Sequence, residues 1–157
     1  MPLTDVAPLE ATLEIDAPPA EVWALVSDLR NMPRWSPQCA RTFVRGGGPV
    51  ELGSRMVNVN RRGLLVWPTQ SKVVRFVPEQ EIAFRVKENW TVWSYTLEPT
   101  ATGGTLVTAR REAPNGVSDV SVRLTKAVLG GVEAFSDELV EGMRQTLARI
   151  KADAESR

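Results

Sequence analysis

The sequence predicts an α+β fold in which a curved antiparallel sheet of about seven strands wraps around a long C-terminal helix. Three observations predict this fold. Residues 9–35 read as one strand and two short helices, residues 38–112 as consecutive strands, and residues 118–155 as one amphipathic helix. Because short turns join the consecutive strands, we expect an antiparallel meander rather than parallel strands linked by helices.

The start of the chain predicts a strand followed by a helix. Residues 9–15 alternate apolar and polar side chains, as a half-buried strand does. Asp16 then offers an acceptor for the free amides of a helix start, and Pro18-Pro19 supplies proline where no amide donor is needed. The first helix is expected to end near Asp28, and a second short helix carries Trp35.

The middle of the chain alternates strand-like segments with turn residues. Segment 64–77 contains Pro68, so we expect it to be bulged or divided into two pieces. Period two places the bulkier residues of two segments on the inward face; they are Thr91, Trp93, Tyr95 and Leu97, and Ile82, Phe84 and Val86. Segments 53–60 and 105–112 have apolar residues in both phases, so their inward faces stay open. The predicted strands are 38–45, 53–60, 64–77, 81–88, 91–98 and 105–112.

Residues 118–155 repeat apolar side chains every three or four positions, which predicts one amphipathic helix about 50 Å long. Gly130-Gly131 is its weak point, because adjacent glycines lower helix propensity and permit a bend. Residues 1–8 read as a flexible lead-in, and residues 9–155 as one domain.

Composition excludes several classes of function. Nineteen basic and nineteen acidic side chains cancel, so nothing favours nucleic acid as the main partner. A single cysteine, Cys39, cannot form an intrachain disulfide, and the lack of histidine removes the commonest general base and metal ligand. We expect no metal site and no cofactor. No signal peptide and no apolar run near the ~20 residues that span a bilayer are present, so we expect a cytoplasmic protein without stable membrane insertion.

The predicted architecture implies a cavity. A strongly curved sheet and a straight helix touch along a line, and the space left between them can hold a ligand. Such apolar pockets are typically on the order of 300–1,000 Å³. We therefore expect a site for a small apolar molecule between the sheet and the C-terminal helix.

Several segments of the chain resemble one superfamily in order and spacing over about residues 9–150. The chain is similar to START-like, birch-pollen-allergen-like (SRPBCC) proteins, in particular the bacterial polyketide cyclase/dehydrase and lipid-transport group. The segments that carry the resemblance are Ala17-Pro18-Pro19-Ala20-Glu21-Val22-Trp23-Ala24-Leu25-Val26-Ser27-Asp28, Met32-Pro33-Arg34-Trp35-Ser36-Pro37, Asn60-Arg61-Arg62-Gly63 with Trp67, Val73 to Pro78, Phe84-Arg85-Val86, Trp93-Ser94-Tyr95 and Gly103-Gly104-Thr105.

The resemblance implies the helix-grip fold and binding of a hydrophobic molecule such as a lipid, fatty acyl chain, isoprenoid, aromatic polyketide or steroid-like compound. True aromatase/cyclases of this superfamily orient a ketide chain with pocket Arg, Tyr, Ser, Asp or His, and this chain has no histidine. We assign no catalytic residue. The predicted ligand-binding residues are Trp35, Met56, Asn58, Asn60, Trp67, Phe84, Trp93, Tyr95, Arg111, Phe135, Leu139 and Met143.

Each candidate also has a structural interpretation. Trp35 can plug the helix layer against the sheet. Asn58 and Asn60 share one phase; they are ligand contacts if they face inward and ordinary solvated residues if they face outward. Arg110 and Arg111 are adjacent, so one of them faces inward, and Arg111 is favoured because Val107 and Ala109 share its phase. It holds either a ligand carboxylate or a structural partner such as Glu14.

Three functions remain open. The first is a carrier or sensor of a small hydrophobic molecule, acting as a monomer or homodimer. The second is a cyclase/dehydrase-type enzyme that polarises a carbonyl with Tyr95, Arg111 and the asparagines. The third is a toxin–antitoxin-type regulatory protein, which would need an exposed apolar patch, and none stands out in the sequence. We place the carrier first because the sequence offers few acid–base groups.

Overall fold

The structure is a computed structural model, and it describes residues 8–114 and 132–156, with side chains from residue 136 onward in the second range. The predicted lead-in 1–8 therefore lies almost wholly outside the described residues. The first part of the predicted C-terminal helix, with Gly130-Gly131, also lies outside them, and so does the side chain of Phe135. No helix in the described ranges is long and apolar enough to span a membrane.

The described elements follow the predicted order. They are β1 (Leu9–Ile15), α1 (Pro19–Val26), a 3₁₀ turn (Leu29–Asn31), α2 (Met32–Trp35), β2 (Cys39–Val44), β3 (Arg55–Arg62), β4 (Leu65–Val77), β5 (Glu81–Val86), β6 (Val92–Pro99), β7 (Thr105–Glu112) and α3 (Val132–Glu155). The strands form one antiparallel sheet in the order β1-β7-β6-β5-β4-β3-β2. This architecture confirms the predicted helix-grip fold.

The first helix begins with proline as predicted, but its cap differs from the prediction. Pro18 is the N-cap residue, Pro19 opens α1, and no side chain caps the helix. The prediction that Asp16 caps α1 is therefore wrong. The backbone amide of Asp16 instead donates to Oε2 of Glu155 at 2.8 Å, which ties the end of β1 to the end of α3.

Strand β4 is one continuous strand, and its irregularity is not at Pro68. Pro68 pairs with Val59 of β3, whereas the register shift lies between Val73 and Arg75, where β4 pairs with β5. The β5 pairing begins only at Ser71, so Pro68 has no neighbouring strand on that side. A proline is tolerated there because the strand has no neighbour on that side, so a backbone amide pointing that way would have no partner in the sheet.

Cross-strand register settles the two faces that the sequence left open. Directly opposite residues of an antiparallel sheet share a face. Met56 lies opposite Ser71 and then Val86, whereas Ala109 lies opposite both Tyr95 and Ala11. All six are buried on the face that carries the core. We call this the concave face, and its residues in the two open strands are Met56, Asn58, Asn60 and Arg62, and Thr105, Val107, Ala109 and Arg111.

The described part of α3 covers one end of this face. Its most extensive packing is against β1, and it also contacts α1, α2 and β7. Ile15 of β1, Val22 of α1, and Leu147 and Ile150 of α3 are completely or almost completely buried in this region. The core is therefore most fully packed where β1, α1 and α3 meet.

Candidate functional site

One row of side chains crosses the concave face over five strands. Val73, Phe84, Trp93, Arg111 and Leu9 are successive register partners on β4, β5, β6, β7 and β1. We call these five residues the central row. The row contains two aromatic rings, Phe84 and Trp93, and one cation, Arg111, which lies between Trp93 and Leu9.

The two aromatic residues of the central row are only partly buried. Phe84 and Trp93 pack against the core but retain solvent-exposed surface. Their neighbours two positions along, Ile82 and Tyr95, are buried. The concave face is thus closed beside Ile82 and Tyr95 and accessible beside Phe84 and Trp93.

Arg111 faces inward, as its phase predicted, and is half-buried. Burial lowers the pKa of its guanidinium. Within residues 8–114 and 136–156, no group forms a hydrogen bond or ion pair with the guanidinium of Arg111. The alternative of a pair with Glu14 is wrong, since Glu14 lies opposite Leu106 in the other phase, and its backbone oxygen accepts from Nζ of Lys151 at 3.1 Å.

Asn58 lies at the centre of a polar ladder, which we define as Thr42, Asn58 and Ser71 on β2, β3 and β4. The hydroxyl of Thr42 donates to Oδ1 of Asn58 at 3.0 Å, and Nδ2 of Asn58 donates to the hydroxyl of Ser71 at 3.1 Å. The ladder satisfies polar groups that lie on the concave face. Asn58 therefore faces inward, and its amide is hydrogen-bonded to protein groups on both sides.

Asn60 also faces inward, next to the β3–β4 hairpin. Its Nδ2 donates to the hydroxyl of Thr69 at 3.0 Å and to the backbone oxygen of Trp67 at 3.3 Å. Trp67 lies directly opposite Asn60 and is half-buried. Met56, earlier on the same strand, is almost completely buried.

Tyr95 is buried next to the central row, and its hydroxyl donates to the sulfur of Met32 at 3.7 Å. Burial raises the pKa of this phenol well above its usual range, and the nearby Cys39 raises it further. A sulfur atom is a weak acceptor, so the phenol has no strong partner in the described part of the chain. It stays protonated and can donate to a carbonyl.

Cys39 is held in an environment that disfavours its thiolate. Its Sγ lies 3.3 Å from the hydroxyl of Thr42 and donates to the backbone oxygen of Arg41 at 3.7 Å. Burial raises the pKa of the thiol, and the two contacts only partly offset that effect. A thiol with a raised pKa is a poor nucleophile.

Trp35 joins the two helical parts of the molecule. Its side chain is 1% exposed. Its Nε1 donates to Oδ2 of Asp153 at 2.6 Å, and its backbone oxygen accepts from Nη1 of Arg149 at 3.0 Å. These contacts support the structural interpretation of Trp35.

Two predicted residues on the C-terminal helix are also buried. Leu139 and Met143 of α3 are 8% and 4% exposed. Their spacing of four residues places both on one side of the helix.

Sequence reasoning missed the partners of these residues. Ser71 and Thr42 were not singled out, although Ser71 shares the phase of Trp67 and Val73 in β4. Arg62 was also missed; its Nε donates to both carboxylate oxygens of Glu138 at 3.0 and 2.9 Å. The phase of Asn58 and Asn60 could have placed Arg62 on the same face.

Two other surface features lie away from the concave face. Phe43, Leu64 and Val66 are 53%, 99% and 57% exposed, so large apolar side chains are exposed on β2 and the β3–β4 hairpin. The sequence had suggested no exposed patch of this kind. A cleft of about 290 Å³ is lined by Glu14, Asp16, Thr102, Gly104 and Lys151, which are mostly polar. Within the described ranges, no group of three or more Cys, Asp or Glu side chains is placed to hold a metal ion.

Solved structures with the same fold are numerous. The aromatase/cyclase Zhui from Streptomyces sp. R1128 superposes with a TM-score of 0.72 at 16% identity, covering 96% of this chain and 94% of that chain. Ginseng major latex-like protein 151 from Panax ginseng gives a TM-score of 0.69 at 14% identity, with 94% and 97% covered. At these identities the likeness defines the class of protein by its fold alone, which is the helix-grip fold.

A third structure, the di-domain ARO/CYC StfQ from the steffimycin biosynthetic pathway, gives a TM-score of 0.73 at 17% identity and covers 96% of this chain. The chain spans about half of that protein, 51% of its length. A comparison with curated protein sequences gave no match.

The family follows from the sequence. The model of the family described as "Polyketide cyclase / dehydrase and lipid transport" matches residues 7–155. The chain belongs to this family, and the resemblance to the SRPBCC superfamily is confirmed.

Proposed function

We propose that residues 9–155 form one domain that binds a small hydrophobic molecule between the concave face and the C-terminal helix, as a carrier or sensor. The ligand class is a lipid, fatty acyl, isoprenoid or polyketide-like compound. The observation that carries the proposal is the partial exposure of Phe84 and Trp93 on the inner side of the sheet. Family membership supports the same function.

The energetics of the central row favour an apolar ligand. Covering about 100 Å² of exposed aromatic surface stabilises a complex by about 2.5 kcal/mol. Phe84 and Trp93 are adjacent across β5 and β6, so one ligand can cover both rings. Residues of the C-terminal helix, with Phe135, Leu139 and Met143 as candidates, would form the opposite wall.

The polar groups on this face would orient the ligand. Asn58 and Asn60 already have protein partners, so they are proposed as secondary contacts. The hydroxyl of Tyr95 has only a sulfur acceptor, and the guanidinium of Arg111 has no partner in the described ranges. Both groups can therefore donate hydrogen bonds to a ligand. Trp67 and Met56 would contact the ligand at the end of the site near the β3–β4 hairpin.

A second candidate function is a cyclase/dehydrase-type reaction. The donors of Tyr95 and Arg111 on one face support it, because they can polarise a ketone carbonyl. The family description supports it as well. General acid–base catalysis would also need a proton acceptor. Within the described residues no carboxylate joins Tyr95 and Arg111, so the carrier function remains first.

The test is a fluorescence titration with N-phenylnaphthylamine, a neutral apolar dye that brightens in apolar sites. We expect saturable binding with one site per chain. Phe84→Asn should weaken binding about tenfold, whereas Val66→Ser should leave it unchanged, since Val66 is exposed in the outward phase of the neighbouring strand. Equal loss in both variants, or no saturable binding by the wild type, would overturn the proposal.

The two candidate functions can be distinguished by identifying the molecule bound to the protein and by testing whether the protein converts it. Native mass spectrometry of protein purified from its own host should show a noncovalent hydrophobic adduct. A carrier releases that molecule unchanged on denaturation. A cyclase incubated with a linear polyketone yields a product whose mass is lower by that of one water molecule. Tyr95→Phe, which removes the phenol hydroxyl, should slow the formation of this product.

A further inference from the structure

The concave face has two arginines whose surroundings differ. Arg62 has a carboxylate partner, because Glu138 of α3 lies against its Nε at 2.9 Å. The guanidinium of Arg111, four strands away in the sheet order, has no ion-pair or hydrogen-bond partner within residues 8–114 and 136–156. Among the described residues, Arg111 is thus the one cation of the concave face without a counter-ion, on the side where the proposed ligand lies.

Carboxylates close to Arg111 in sequence are engaged on the other face. Glu112 lies 3.4 Å from Nε of Arg110 and 3.9 Å from Nη2 of Arg75. Glu10, which lies opposite Arg110, is 3.8 Å from Nη1 of that residue. These groups belong to the convex face, so the sheet screens them from the Arg111 side chain.

An arginine in this position destabilises the folded protein unless an anion binds to it. Arginine remains protonated at physiological pH, and a half-buried cation without a counter-ion forfeits hydration that nothing replaces. Its planar guanidinium offers paired donors that fit a carboxylate in a bidentate arrangement. The unpaired state is therefore suited to an anionic ligand group.

The apolar part of such a ligand has a place beside the cation. Trp93 lies directly opposite Arg111, followed by Phe84 and Val73 on the next two strands. Three strand spacings separate β7 from β4, a span of roughly 14 Å at about 4.8 Å per spacing. This length accommodates a medium-chain acyl group or two to three fused rings.

We propose that Arg111 anchors the acidic group of an amphipathic organic acid whose apolar body lies along Trp93, Phe84 and Val73. The proposal rests on the proposed ligand-binding function and narrows its ligand class from hydrophobic molecules to carboxylic acids. Arg111 is then a binding residue that sets specificity, and neutral analogues of the same shape bind less tightly.

The experiment uses the full chain and a matched pair of competitors. Dodecanoate and dodecanol, which differ at one end group, displace N-phenylnaphthylamine at neutral pH. The wild type should prefer dodecanoate about tenfold, equivalent to about 1.4 kcal/mol. Arg111→Gln should abolish this preference while dodecanol binding stays within about twofold, and Arg111→Lys should retain part of it.

Arg110→Gln is the matched control, because it removes the same charge from the neighbouring residue on the convex face. It should keep the full preference for dodecanoate. If Arg110→Gln reduces the preference as much as Arg111→Gln does, the effect reflects overall charge and the anchor proposal is overturned.

A second measurement on ligand-free protein covers the case of a variant that folds poorly. Arg111→Gln removes a half-buried cation that has no partner in the described ranges, so the thermal unfolding midpoint of the variant should equal or exceed that of the wild type. A midpoint several degrees lower would show that Arg111 has a structural counter-ion, and would overturn the proposal.

The failure of this inference is distinguishable from failure of the proposed function. If the dye binds but dodecanoate and dodecanol compete equally, the site exists and the Arg111 anchor is wrong. If the dye does not bind to the wild type at all, the ligand-binding function fails and the anchor fails with it.

Discussion

Arg111 on β7 lies directly opposite Trp93 on β6, with both side chains on the concave face of the sheet. The pairing puts a cation next to an aromatic ring that is itself partly exposed. A site built on this pair can bind an apolar surface and hold one charged end of it. The relationship follows from register alone, since directly opposite residues in an antiparallel sheet share a face.

Gly104 permits the close approach of two chain segments before β7. A Cβ atom added at this position would lie 2.7 Å from the backbone oxygen of Ile15, the last residue of β1. Backbone atoms cannot move aside as a flexible side chain can. Gly104→Ala should therefore lower the free energy of unfolding by about 1–3 kcal/mol, measured by urea denaturation.

Gly48→Ala provides the matched control for Gly104→Ala. A Cβ atom at Gly48 has no heavy atom within 4 Å, so this substitution should be neutral or slightly stabilising. Equal effects of the two substitutions would contradict the steric explanation.

The contact between Trp35 and Asp153 links α2 to the C-terminal helix. A double-mutant cycle with Trp35→Phe and Asp153→Ala should give a coupling energy of about 1–2 kcal/mol, because a neutral donor bonds a charged acceptor. Urea denaturation of the four proteins measures it. Trp67→Phe with Asp153→Ala should be additive, and additivity in the Trp35 cycle would show that the hydrogen bond contributes nothing.

Tyr95 is the one tyrosine in the sequence, so its ionisation can be followed by tyrosinate absorbance without overlap from another phenol. Burial holds its pKa above the ordinary value of about 10 in the folded state. Between that value and the folded pKa, the unfolded chain binds fewer protons than the native protein. Stability should therefore fall as pH rises above about 10, by at most about 1.4 kcal/mol per pH unit from this group.

Tyr95→Phe removes this contribution, so its stability should decline less steeply above pH ~10 than that of the wild type. The absorbance change should coincide with alkaline unfolding followed by circular dichroism. Ionisation near pH ~10 with the fold intact would contradict the buried position of the phenol.

The polar ladder should contribute to stability through Asn58. Asn58→Ala leaves the hydroxyls of Thr42 and Ser71 without their partner on the concave face. We expect a loss of about 1–2 kcal/mol in the free energy of unfolding. Gln70→Ala, on the exposed outward phase of β4, should change it by less than about 0.5 kcal/mol. A loss for Gln70→Ala as large as that for Asn58→Ala would argue against the ladder.

The sequence predicts the elements well because alternation and helical period are local signals. The residues of 91–98 alternate clearly, and the structure places Tyr95 and Leu97 in the core as predicted. The inward face of β3 was harder to predict, because Val57 and Val59 in the outward phase are as apolar as Met56 in the inward phase. Only the neighbouring strands decide which phase is covered, and the sequence does not contain that information locally.

The site depends even more on contacts between distant parts of the chain. Trp35 and Asp153 are separated by 118 positions, and Arg62 and Glu138 by 76. No periodicity relates such pairs. The start of α1 shows that a local pattern can also mislead. Asp16 has the side chain and position typical of a helix cap, but it does not cap α1, and its backbone amide donates to Glu155 from the far end of the chain.

The most direct test of the proposed ligand site is the location of a bound dye, determined by nuclear magnetic resonance or crystallography of the N-phenylnaphthylamine complex. Binding between the sheet and the C-terminal helix predicts contacts from the dye to the rings of Phe84 and Trp93. A dye seated on Phe43 and Val66 of the convex face, or a concave face too tightly filled to admit it, would contradict the proposed function.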